Sequence, residues 1–146
     1  MLDKRYKNKT FVRYFIPPIA AIALLLIFYY IKEMYPFGPK TLAWVDMKQQ
    51  VIPLMIQWKN ILTGDQSMFL NMLNSGGSSF WGIFFFFVSS PFSVLILFTE
   101  SRDTIVMMNV IVALKIAASA LTCSIMLNKL YSRLSNFHLI IISIFY

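Results

Sequence analysis

Asp46 is the residue in this chain best placed to do chemistry. It lies in a polar, aromatic-flecked stretch from Tyr35 to Gly77, the nearest other acids are Glu33 and Asp65, and Lys48, Gln49 and Gln50 follow it closely. A carboxylate in such a loop can accept a proton from a hydroxyl whose oxygen attacks an electrophile, or hold a divalent ion against phosphate. Asp46 with Gln49 also fits a D-x-x-Q capping box, in which the carboxylate accepts a backbone N–H and the glutamine returns the bond. Residue type alone favours the cap, because Asp is among the commonest N-caps, and a cap can also hold a catalytic carboxylate in place.

Lys115 is the second candidate. It sits between Leu114 and Ile116 in the middle of an apolar run, where a lysine costs about 2.5–3.5 kcal/mol on insertion scales and normally has a partner. A carboxylate or a phosphate is the expected partner, with a purely structural bond to another helix as the alternative. The serines and glycines from Ser75 to Ser79 match no phosphate-binding loop and read as a turn. Lys40, Lys48 and Lys59 are placed either to meet lipid headgroups or to be solvated. His138 lacks a companion ligand, which argues against a metal site there, and Cys123, the single cysteine, reads as packing.

The elements that must carry these residues belong to a membrane. Of the 146 residues, 58% are hydrophobic and only 13% charged, about half the charged share of a soluble domain. The net charge of +7 is spread over the flanks of apolar runs, which speaks against a nucleic-acid partner and reports topology instead.

The composition and runs predict an all-α integral membrane domain. Lys4, Arg5, Lys7, Lys9 and Arg13 make residues 1–13 a cytoplasmic tail, and Tyr14 to Ile31 forms a first span with Pro17 and Pro18 in its first turns. That run exceeds the roughly 7–15 residues of a signal-peptide core and lacks a cleavage site, so it is read as an uncleaved helix. An extracytoplasmic loop follows over residues 32–103. Within it Val51, Leu54, Met55, Trp58, Ile61 and Leu62 recur at helical spacing, giving a surface helix over about residues 47–62, kinked near Pro53 and stopped by Gly64.

Phe80 to Phe98 is long enough to cross but is interrupted by Ser89, Ser90 and Pro91, so it either crosses or dips into the outer leaflet as two short helices. Lys129 and Arg133 after the span from Thr104 to Leu127, against the acidic loop Glu100 to Asp103, favour dipping. Residues 137–146 begin another apolar run about half the length of a crossing, so the chain reads as truncated within a third span.

Several short stretches, taken in order, resemble the start of the YfhO family of bacterial multi-spanning membrane proteins. They are YPFGPKTLAWVDMKQQVIPL, ILTGDQSMF, NSGGSSFWGIF with VSSPFSVLILF, and ALKIAASALT, which together cover about Tyr35 to Leu127. The resemblance implies a fold similar to GT-C glycosyltransferases, in which the first outer loop carries an acidic residue shortly after the first span, followed by surface helices and the second span. Asp46 occupies that position. The implied activity is transfer of a sugar from an undecaprenyl-phosphate carrier to a cell-envelope polymer of teichoic-acid type on the outer face, with Asp46 catalytic and Lys48, Gln49, Gln50 and Lys115 toward the substrate and its lipid phosphate. The family's pattern resembles D-M-D-Q-Q-Y, whereas Lys48 and Val51 here replace its second acid and its aromatic. That replacement argues against a two-carboxylate metal site in the loop, although a divalent ion at Asp46 stays open as a cofactor.

Two functions are therefore carried forward. One is a membrane glycosyltransferase working from the outer loop, these 146 residues alone being inactive. The other is a non-catalytic membrane scaffold or subunit whose outer loop binds an envelope partner. Membrane lipids are partners in either case.

Overall fold

The structure, a computed structural model, describes residues 2–70, 72, 76–131 and 133–146, with residues 2–11 described by their backbone. Its ordered elements are helical throughout, among the described residues. They group into two compact units, one made of the chain up to Gly38 together with Val112–Tyr146, the other of Pro39–Ile111.

The first unit is built of long helices. Helix α1 runs over Leu2–Ile31, and its stretch Val12–Ile31 is long and apolar enough to cross a bilayer. The helix thus begins twelve residues before the expected start at Tyr14. Hydropathy marks where a membrane begins rather than where a helix does, and Lys and Arg are good helix formers. Pro17 and Pro18 consequently fall inside the helix, not in its first turns. There they remove the two amides that would bond the carbonyls of Arg13 and Tyr14. The same two residues hold the unit together through their side chains. The Arg13 guanidinium donates to the Leu134 carbonyl, and the Tyr14 hydroxyl accepts from the Asn128 amide.

A short apolar helix over Asn136–Phe145, labelled α5 below, packs on α1. Ser135 caps it by accepting the His138 N–H at 3.4 Å, and the Ser135 hydroxyl lies 2.6 Å from Nδ1 of the same histidine. Cys123 is buried with Leu127 and Leu139, so packing is its role. Phe15, Ile19, Leu24 and Ile27 of α1 stay exposed, as expected of a helix that meets lipid rather than water.

The second unit is assembled from short pieces. A π-helical turn over Met47–Val51 leads into α2, Ile52–Thr63, with Pro53 in its first turn and Gly64 ending it in the left-handed conformation at φ 88°. Helical backbone thus covers the stretch over which the apolar spacing recurs. Then come α3 over Phe80–Ile83, a second π-helical turn over Phe84–Val88, and a 3-10 segment over Pro91–Phe98. Phe80 to Val88 and Pro91 to Phe98 meet at a bend of 100°. Pro91 has no N–H to continue the ladder, and Ser90 before it is extended at φ −85°, ψ 137°, as a residue preceding proline prefers to be.

The core of this unit gathers Ile52, Met55, Phe80, Val88, Ile96, Met108 and Ile111. Phe80, 0% exposed, lies parallel to Trp58 with ring centroids 6.4 Å apart. On the surface Phe69, Trp81 and Phe85 form a ring ladder with centroid spacings of 6.3 and 5.7 Å, the kind of aromatic surface that sits at a bilayer boundary.

The helix over Thr104–Leu130, α4, begins in the second unit and continues into the first. With the short turn before it, the apolar stretch Ser101–Leu130 spans 30 residues, about 45 Å of helix, more than a hydrocarbon core requires.

Candidate functional site

Asp46 stands at a turn that the backbone builds without help from its side chain. Upstream, the Leu42 N–H donates to Oδ1 of Asn109 at 3.1 Å, and the Ala43 N–H to the Thr41 hydroxyl at 3.3 Å. Asn109 is buried in α4, so the approach to the turn is pinned to a membrane helix. Val45 then adopts φ 43°, a left-handed conformation that is a genuine outlier for a β-branched residue. This rotation aims the Val45 carbonyl along the helix axis, where it accepts the N–H groups of Lys48 and Gln49, each at 3.0 Å. The Trp44 carbonyl takes the Met47 N–H.

The expected capping box is therefore not formed. Asp46 is itself helical at φ −60°, ψ −34°, and its side chain makes no cap hydrogen bond. The physical reason is Val45, whose carbonyl takes the amides a capping carboxylate would otherwise compete for. What remains is an exposed carboxylate that makes no cap bond and has no ion pair among the described residues, beside Trp44, which is 83% exposed. A conformational cost of about 1–3 kcal/mol at Val45 is of the kind that clusters at functional sites.

Lys48, Gln49 and Gln50 follow on the π-helical turn, all exposed. Such turns are rare and are found disproportionately at functional sites. Gln49, Gln50, Pro53, Leu54 and Gln57 share one helical face, and with Ile83 and Phe87 they line a cleft of about 470 Å³. Gln57, Ile83 and Phe87 were not singled out from the sequence. The spacing of Gln49, Pro53 and Gln57, four residues apart each time, is a local signal for one wall. The opposite wall, more than twenty-five residues along the chain, has none.

The other candidates separate. The Lys59 ammonium donates to the Thr99 carbonyl, so its role is internal to the unit rather than a lipid contact or a solvated charge, while Lys40 is exposed. Gly76 and Gly77 adopt φ 72° and 113°, which fits the expected turn, and Ser79 caps α3 by accepting the Trp81 N–H; Ser75 lies outside the described residues. Lys115 belongs to the other unit, where it is exposed on α4, and among the described residues no carboxylate lies within ion-pair distance of it.

No all-protein cage for a divalent ion is built among the described residues. Among the described residues no three His, Cys, Asp or Glu side chains come together, and Asp46 has an ammonium-bearing residue two positions on where a second acid would help to hold a metal. An exposed carboxylate of this kind can accept a proton.

Two long apolar helices, a bent pair of shorter apolar ones and a wholly helical set of elements among the described residues define an α-helical integral membrane protein. More narrowly, the family described as "Bacterial membrane protein YfhO" matches residues 18–146, and the chain belongs to that family. No curated protein and no solved structure matches the chain.

Proposed function

We propose that this chain supplies the acceptor-activating carboxylate of a GT-C-like membrane glycosyltransferase, with Asp46 as general base. The acceptor is a hydroxyl of a cell-envelope polymer of teichoic-acid type, and the donor is a sugar on a polyprenyl-phosphate carrier, both on the outer face of the membrane. As the acceptor oxygen bonds to the anomeric carbon, its proton passes to Asp46, the bond from that carbon to the carrier's phosphate oxygen breaks, and the polyprenyl phosphate leaves as an anion. The Lys48 ammonium, two residues on, offsets the charge developing on that phosphate. Separately, the exposed ammonium of Lys115 on α4 suits a lipid phosphate brought to the span.

The observation that carries this reading is the state of Asp46. It is exposed, free of capping duty and fixed in position by a strained backbone turn, which is what a base must be before its substrate arrives. Membership of the YfhO family supports the membrane setting and is consistent with a glycosyltransferase-type role.

The test is sugar transfer in membranes, from a polyprenyl-phosphate-linked sugar to an envelope polymer, with Asp46→Asn compared with the unaltered protein at equal abundance. A fall of about 10²–10⁴-fold is expected, the usual contribution of a general base. Undiminished transfer would remove Asp46 from the chemistry and leave the loop as the binding surface of a non-catalytic subunit.

A further inference from the structure

We propose that the cleft between α2 and the second π-helical turn is a subsite for an uncharged, polyhydroxylated ligand, a single sugar ring rather than a phosphate. This deepens the reading above and rests on it for the identity of the reaction, though not for the binding chemistry.

The cleft's polar lining is made of three carboxamides, Gln49, Gln50 and Gln57, and its other lining residues are Pro53, Leu54, Ile83 and Phe87. Among the described residues no charged side chain takes part, although Lys48 is next in sequence to Gln49. A phosphate site in a cleft would be expected to present a cation or converging backbone amides. A carboxamide offers a carbonyl acceptor and an NH₂ donor on one planar group, and a hydroxyl is likewise both donor and acceptor. Rows of amides therefore match rows of hydroxyls without requiring either partner to carry charge. The apolar wall of Leu54, Ile83 and Phe87 faces the other need of a sugar ring, whose C–H faces are apolar.

Two further observations point to a built site rather than a gap in packing. Its volume, about 470 Å³, lies within the range of small-molecule clefts. Both walls also draw on π-helical turns, Gln49 and Gln50 from Met47–Val51 and Phe87 from Phe84–Val88. An extra residue in a helical turn changes where the following side chains point, and two such uncommon turns meeting at one cleft re-aim side chains from both sides. Gln49 and Gln50 are thereby separated from Lys48 in role, the amides meeting the ring and the ammonium the phosphate.

The experiment is saturation-transfer NMR on the purified protein in nanodiscs free of glycoside detergent, with glucose, N-acetylglucosamine and inorganic phosphate as probes. At least one of the two sugars should receive saturation from the protein, phosphate should not displace it, and affinity should fall about tenfold in Gln50→Leu and in Gln57→Leu. Gln50 is exposed, so its variant stays informative if the buried Gln57→Leu fails to fold. Asp46→Asn should bind the sugar as well as the unaltered protein does. Absence of saturation for both sugars, displacement by phosphate, or unchanged affinity in Gln50→Leu would each overturn the proposal. The two readings fail separately: loss of transfer in Asp46→Asn without sugar binding to the cleft removes only the subsite, whereas cleft binding with full transfer in Asp46→Asn removes only the base.

Discussion

The two units of this chain use the same apolar alphabet to opposite ends. In the first, the stretch Val12–Ile31 and the run of α4 from Val112 are long regular helices whose apolar side chains largely face outward, with polar bonds joining Arg13 to Leu134 and Tyr14 to Asn128. In the second, between Pro39 and Ile111, the longest element apart from the start of α4 is the 12-residue α2, and the other described elements are the four-residue α3, π-helical turns and 3-10 segments. Irregular backbone leaves polar groups to be aimed, and the exposed carboxylate, the amides and the cleft all lie in the second unit. Long helices suit crossing a membrane; short interrupted ones suit holding a site at its edge.

By that contrast the two cores should respond on a similar scale, while the buried amide and the strained turn that place the loop should respond in the second unit. The largest structural effect is expected from Phe80→Ala, which empties the centre of the second core and should cost about 3–5 kcal/mol, with Leu139→Ala in the first costing about 2–5 kcal/mol. Denaturant unfolding in detergent measures both. A cost for Phe80→Ala below about 1 kcal/mol would mean that the short elements are not held by a packed core.

A middle-sized effect is expected from Asn109→Leu. It leaves the Leu42 N–H without its acceptor and should cost about 1–3 kcal/mol, with faster hydrogen exchange at Leu42 as the specific sign. Unchanged exchange there would show that the loop is held by something other than α4. The smallest effect is expected from Val45→Gly. Relief of the left-handed strain should outweigh the added freedom of glycine and stabilise the protein by about 1 kcal/mol. Destabilisation would contradict the account of the turn.

The side of the membrane can be read by single cysteines at Ser67 and Ser101, both exposed, with buried Cys123 as an unreactive control. The proposed outer loop predicts that an impermeant thiol reagent labels both in intact cells. Labelling at Ser67 with protection at Ser101 would show that the 100° bend between Phe80–Val88 and Pro91–Phe98 is a broken crossing.

Much of the first unit is legible in the residues themselves, because membrane spans are written as local hydropathy and the run before Lys32 or after Thr104 needs no distant partner to be recognised. The start of α1 is not, since charged residues continue a helix as readily as they end a span. In the second unit the turn residues speak clearly: Gly64 ends α2, and Pro91 breaks the apolar run. The capping box is a misreading with a physical cause. A D-x-x-Q pattern states what the side chains can do, while the φ of Val45 decides whether the amides are left for them, and nothing local announces a β-branched residue in that conformation. The cleft is half legible for a similar reason. Glutamines four residues apart from Pro53 mark one face of a helix, but the approach of Ile83 and Phe87 is a matter of tertiary packing.

The most direct test of the central claim is a paired measurement on Asp46→Ala, sugar transfer in membranes and unfolding midpoint in detergent. Because Asp46 makes no cap hydrogen bond, removing its side chain should change stability by no more than about 0.5 kcal/mol, whereas loss of the base should lower transfer by about 10²–10⁴-fold. A loss of about 0.5–2 kcal/mol with transfer intact, the signature of a deleted N-cap, would contradict the account and return Asp46 to a structural role.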